Sequence, residues 1–123
     1  MVNVLIVDDE EDICDFLCQI AEESGVKAVY ALTGEEALKR IETETIEICI
    51  VDLKLSTAMS GLDVIKVIRA KKPETVIAAM SGYVDIGLKQ EAERFNVSAY
   101  LEKPTDLKPN IFIEKLQDLM SKV

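Results

Sequence analysis

The chain is 123 residues long, 49% hydrophobic and 30% charged, with a formal charge of −9 and no histidine. That length supports one domain with a real core, and no apolar run approaches the roughly 20 residues that a membrane span requires. The negative balance excludes a chain that itself grips DNA or RNA phosphates, and it favours a basic partner surface or a bound cation.

Met1 leads straight into VNVLIVDD with no basic segment before it, which is not the pattern of a secretory leader, so the chain is expected in the cytoplasm. Val4 to Asp9, VLIVDD, reads as a buried parallel strand that hands two adjacent carboxylates, Asp8 and Asp9, to the following loop. Neighbouring carboxylates repel, so the pair costs stability unless a cation, a proton or open solvent relieves it. Glu11 to Ser24 places Ile13, Phe16, Leu17, Ile20 and Ala21 on one helical stripe, and Gly25 stops the helix. Cys14 and Cys18 share a face of that helix; with Cys49 they form an odd set in apolar surroundings, which predicts reduced, buried thiols.

Val26 to Leu32 is predicted as a second strand, followed by a capping box of Thr33 and Glu36 and a helix to about Glu44. Ile46 to Val51 is a third strand, which delivers Asp52 as the first delivered Asp8 and Asp9. Leu62 to Ala70 carries a helical stripe through Leu62, Ile65 and Ile68 that ends before Pro73. Thr75 to Met80 is a fourth strand, ending on Ser81-Gly82. Asp85 to Phe95 forms a fourth helix through Leu88, Ala92 and Phe95, weakened by about 1 kcal/mol at Gly87. Val97 to Leu101 is a fifth strand that delivers Glu102-Lys103-Pro104, and from Pro109 onward Phe112, Leu116, Leu119 or Met120, and Val123 mark a closing helix.

Five alternations of strand and helix predict an α/β fold, a parallel sheet with helices on both faces. Right-handed crossovers bring every strand to the same edge. The residues met there are Asp8, Asp9, Asp52, Ser81 and Lys103. Three carboxylates suit a hard cation such as Mg²⁺, which takes a few carboxylates plus waters and phosphate oxygens at about 2.0–2.1 Å. A lysine and a hydroxyl beside them can engage phosphoryl oxygens, which is the equipment of phosphoryl transfer.

With those strand ends the whole chain, residues 1–123, resembles a receiver domain of two-component response regulators, in the single-domain form of chemotaxis and phosphorelay regulators. The resemblance implies a doubly wound, flavodoxin-like fold with five helices and strand order 2-1-3-4-5. It implies a signalling switch in which Asp52 accepts a phosphoryl group from a histidine kinase or a histidine phosphotransfer protein. Mg²⁺ would be held by Asp9 and Asp52 directly, by Asp8 mainly through water, and by the Lys54 backbone carbonyl. Lys103 would hold the phosphoryl charge, with a cis bond to Pro104. Ser81 would move toward the phosphoryl group, and Tyr100 would turn inward behind it. Output would appear on the face of the fourth helix, fifth strand and fifth helix, and be read by a downstream protein or a second copy of the chain. Neither nucleic acid nor membrane is an expected direct partner.

The chain departs from the family pattern after Asp52. Ser56 stands where a proline is usual, and Gly61 comes one residue later than usual, so the loop is longer. Tyr83, two residues after Ser81, is a candidate for restricting the water that hydrolyses the acyl phosphate. Ile111-Phe112-Ile113 is more apolar than one helix face can bury, which predicts either cover for the loop at Leu107 or an exposed partner patch. Taken singly, each site residue has an ordinary reading as a turn, a cap or a snorkelling lysine. Two rival functions remain: an interaction module that never uses phosphate, and an aspartyl-phosphate phosphatase, against which Glu10 stands where a second aspartate is usual. The acidic DDEED run would repel a flavin phosphate. Without histidine the chain has no phosphohistidine donor of its own, and its length leaves no room for a DNA-binding or enzymatic output domain, so it is expected to act through protein contacts or as the receiver part of a longer regulator.

Overall fold

The computed structural model describes residues 1–82 and 86–123. Its elements are β1 (Asn3–Val7), α1 (Glu11–Glu23), β2 (Lys27–Ala31), α2 (Gly34–Thr43), β3 (Ile48–Asp52), α3 (Gly61–Lys71), β4 (Val76–Ser81), α4 (Ile86–Glu93), β5 (Ala99–Glu102), and α5 (Pro109–Met120), which a short 3₁₀ turn (Thr105–Leu107) precedes. The strands form one parallel sheet in the order β2-β1-β3-β4-β5.

Alternation along each central strand builds two cores. Val4, Ile6, Ile48, Ile50, Ala78 and Met80 face α1 and α5, whereas Leu5, Val7, Cys49, Val51, Ile77 and Ala79 face α2, α3 and α4. Because both sides are covered, β3 and β4 are buried throughout, which is why they read as continuous apolar runs. Gly25 ends α1 at φ +89°, a conformation that glycine adopts without strain, and the Ser24 and Gly25 N–H groups close the last turn on Ala21 and Glu22.

Several local expectations are corrected. Phe16 is 45% exposed and lies off the buried stripe of α1. The buried stripe is Cys14, Leu17, Cys18 and Ala21 with Ile20, so the cysteines are buried as expected and Phe16 alone is displaced. Thr33 caps α2 by accepting the Glu36 N–H, but the reciprocal capping box sits at Ser60 and Asp63, at the start of α3. Val123 is exposed beyond α5. Within Ile111-Phe112-Ile113 the ring is fully buried, worth about 1.5–3 kcal/mol, and both isoleucines are half-buried. Among the described residues no helix is long and apolar enough to cross a membrane.

Candidate functional site

Parallel strands end together, and so do their terminal residues. β1 runs out at Val7, and the backbone of Asp8 stays tied to the sheet through its N–H on Ala31 O (3.2 Å). Its side chain is fully buried. Asp8 Oδ1 accepts the Glu10 N–H at 2.9 Å, while Oδ2 lies 2.5 Å from Lys103 Nζ in an ion pair that lacks hydrogen-bond alignment. Burial raises the Asp8 pKa, against the opposing pull of Lys103 and the Glu10 N–H.

Asp52 is the last residue of β3 and is nearly buried. Its Oδ1 accepts the Lys54 N–H at 2.9 Å, and its Oδ2 accepts Lys103 Nζ at 3.0 Å. Gly61 packs directly beneath: a Cβ there would lie 1.8 Å from Asp52 O, so only glycine lets α3 start against the end of β3. The sequence offered this residue as a spacing marker; its close approach is a tertiary fact.

Lys103 follows β5 and bridges Asp8 and Asp52. Burial lowers its pKa, but the bonds to Asp8 and Asp52 outweigh that, and the net shift is upward. Its backbone N–H donates to Ser81 O at 2.8 Å, and its bond to Pro104 is cis, as the resemblance implied. Ser81 closes β4 and is fully buried. Tyr100, on β5, packs half-buried on the side of the sheet facing α3 and α4. Lys54 lies exposed two residues beyond Asp52. Tyr83 lies outside the described residues.

Asp9 is the more open member of the acidic pair. Its Oδ2 accepts both the N–H (3.1 Å) and the hydroxyl of Ser56, and these bonds lower its carboxyl pKa despite partial burial. In the sequence Ser56 stands out only as a missing proline, and no pattern along the chain signals a bond across 47 positions. One oxygen from each of Asp8, Asp9 and Asp52 lies within 4.8 Å of the other two. Three hard oxygen donors at that spacing fit a divalent cation of the Mg²⁺ type. The three cysteines are buried and unpaired, far from thiolate chemistry: burial holds Cys14 near 12 and Cys18 near 11, and pushes Cys49 further up.

Residues 4–113 match the family model described as the response regulator receiver domain. The chain is 32% identical over 104 residues to the acid tolerance regulatory protein ActR of Rhizobium meliloti, covering 85% of this chain and 53% of that protein. It is 31% identical over 104 residues to the photosynthetic apparatus regulatory protein RegA of Rhodovulum sulfidophilum, covering 85% and 56%. The chain spans between 22% and 56% of the length of such curated relatives. Among solved structures, a CheY-like receiver domain protein from Methanospirillum hungatei superposes with a TM-score of 0.91 at 28% identity, over 99% of this chain and 96% of that one. The Vibrio cholerae chemotaxis protein CheY4 gives 0.88 at 25% identity, over 97% and 98%. With sequence, strand order and strand-end residues all in agreement, the chain belongs to the response regulator receiver domain family of two-component signalling.

Proposed function

We propose that residues 1–123 act as one phosphorylation-dependent switch, with Asp52 as the phosphoacceptor. The observation that carries this reading is the Lys103 ammonium, set between the carboxylates of Asp8 and Asp52 at 2.5 and 3.0 Å. Asp52 attacks the phosphorus of a partner's phosphohistidine; an O–P bond forms, the N–P bond breaks, and the imidazole leaves with the electron pair and takes up a proton from water. Lys54 N–H and Lys103 hold the Asp52 carboxylate in one orientation before the donor arrives, so little reorganisation is left to the reaction. Lys103 then meets the charge on the transferred group. Asp8, Asp9 and Asp52, with the Lys54 carbonyl, would hold Mg²⁺. When bound, that ion neutralises charge on the phosphoryl oxygens.

The protein acts as the acceptor that helps its own loading and unloading, not as an enzyme on an external substrate. A histidine kinase or a histidine phosphotransfer protein supplies the group in the cytoplasm. Ser81 engages the new phosphoryl oxygens, and Tyr100 adjusts behind it. The face of α4, β5 and α5 then presents a changed surface to a downstream protein or to a second copy.

The test is incubation with acetyl phosphate and Mg²⁺ followed by intact mass measurement. A single phosphoryl adduct that is absent in Asp52→Ala supports the reading. No adduct with any phosphodonor points instead to an interaction module that works without phosphate.

A further inference from the structure

The loop between β3 and α3 is held at several points that do not involve the acidic cluster. Met59 packs on the start of α2, so closely that a Cβ at Gly34 would come within 2.8 Å of Met59 Cβ and Cγ. Thr57 Oγ1 donates to Met59 O at 2.6 Å. Ser60 accepts the Asp63 N–H at 3.1 Å, and Asp63 accepts the Ser60 N–H at 3.2 Å in return. Ser56 therefore extends from an anchored segment, and both of its donors, N–H and hydroxyl, meet the same oxygen, Asp9 Oδ2.

A carboxylate oxygen has two lone-pair directions, and Ser56 fills both on Oδ2. Among the described residues no other residue donates to Asp9 Oδ1, and the one further donor to this carboxylate is its own backbone N–H. We propose that Ser56 is a positioning residue for the cation seat: it fixes the Asp9 carboxylate so that Oδ1 is the oxygen offered to Mg²⁺. The proposal rests on the reading of Asp8, Asp9 and Asp52 as that seat. Outer partners that orient a ligating carboxylate typically change metal affinity by about 10–100-fold. Only one of the two bonds belongs to the side chain, so the low end of that range applies. A proline at position 56 would supply neither donor.

The test is calorimetric titration of MgCl₂ into the full chain and its variants Ser56→Ala, Ser56→Thr and Asp9→Ala, with thermal unfolding in EDTA as the fold control. Ser56→Ala should bind Mg²⁺ about tenfold more weakly, and Ser56→Thr, which keeps the hydroxyl, should restore binding. Both should melt like the parent without metal, since Ser56 is exposed. Asp9→Ala should lose more affinity than either. Unchanged or tighter binding by Ser56→Ala overturns the role of Ser56 and leaves the Mg²⁺ seat standing. A loss that Ser56→Thr does not restore also overturns it. A parent chain that binds no Mg²⁺ overturns the seat and the proposal together.

Discussion

Among the described residues no hydrogen-bond partner meets the buried Tyr100 hydroxyl. Its ring is held by apolar packing on the α3–α4 side and by Lys89 Nζ, 5.1 Å from the ring centroid, so the position depends on the ring and not on the oxygen. A buried polar atom without a partner costs about 1–3 kcal/mol. Tyr100→Phe is therefore expected to raise the unfolding free energy by about 1 kcal/mol in urea titration. A destabilised variant would mean that the hydroxyl finds a bond in solution. Lys103 shows the contrary arrangement, a half-buried ammonium with a carboxylate on either side. These two residues also mark what a sequence discloses at this scale. Lys103, Asp8 and Asp52 were legible because strand ends in a parallel sheet must meet. The state of the Tyr100 oxygen, and the bond from Ser56 to Asp9, depend on side-chain directions that no spacing rule contains.

At the scale of elements, Arg69 ties the end of α3 to the elements on either side of it. Its Nε donates to Phe95 O at 2.8 Å, Nη1 to Pro73 O at 2.7 Å and Thr75 O at 2.9 Å, and Nη2 to Asn96 O at 3.1 Å. Those carbonyls belong to the turn after α4 and to the turn that opens β4, and Asn96 there takes a left-handed φ of +59°. A guanidinium can span them because its donors fan out in one plane, whereas an ammonium is a single point. Arg69→Lys should cost about 2 kcal/mol of stability. Hydrogen exchange should speed most at residues 94–98, including the Ser98 N–H that donates to Ile77 O. Uniform acceleration along the chain would instead assign Arg69 a general packing role. The sequence placed all ten strands and helices, because short continuous apolar runs marked the buried strands and helical stripes marked most of the segments between them. On α1 it misplaced one residue, Phe16, which lies at the exposed edge of a stripe whose other members, Leu17, Ile20 and Ala21, are buried beside Cys14 and Cys18. It also assigned the reciprocal capping box to Thr33: both caps are extended and accept the N–H three residues on, but only the Asp63 side chain, and not that of Glu36, reaches back to the cap.

At the scale of the whole molecule, a sheet covered on both faces leaves its central strands fully dry, and Cys49 in β3 is an ionisable group placed there. Burial holds its thiol pKa well above the ordinary value of 9.0. Below pH 9 the thiol is protonated in both the folded and the unfolded chain, so it contributes no pH dependence. Above pH 9 the unfolded chain releases a proton that the folded chain retains, so stability falls as pH rises until the folded pKa is reached. One such group loses about 1.4 kcal/mol between pH 8 and pH 10. Cys49→Ala should start less stable at neutral pH, because it leaves a cavity beside Leu5 and Ile77, the residues that Cys49 pairs with in β1 and β4. Its deficit relative to the parent should then shrink by about 1.4 kcal/mol from pH 8 to pH 10 in denaturant titrations, since the variant has no thiol to ionise on unfolding. A deficit that stays constant across that range would show that Cys49 reaches solvent, and that β3 opens far more often than its burial on both faces implies.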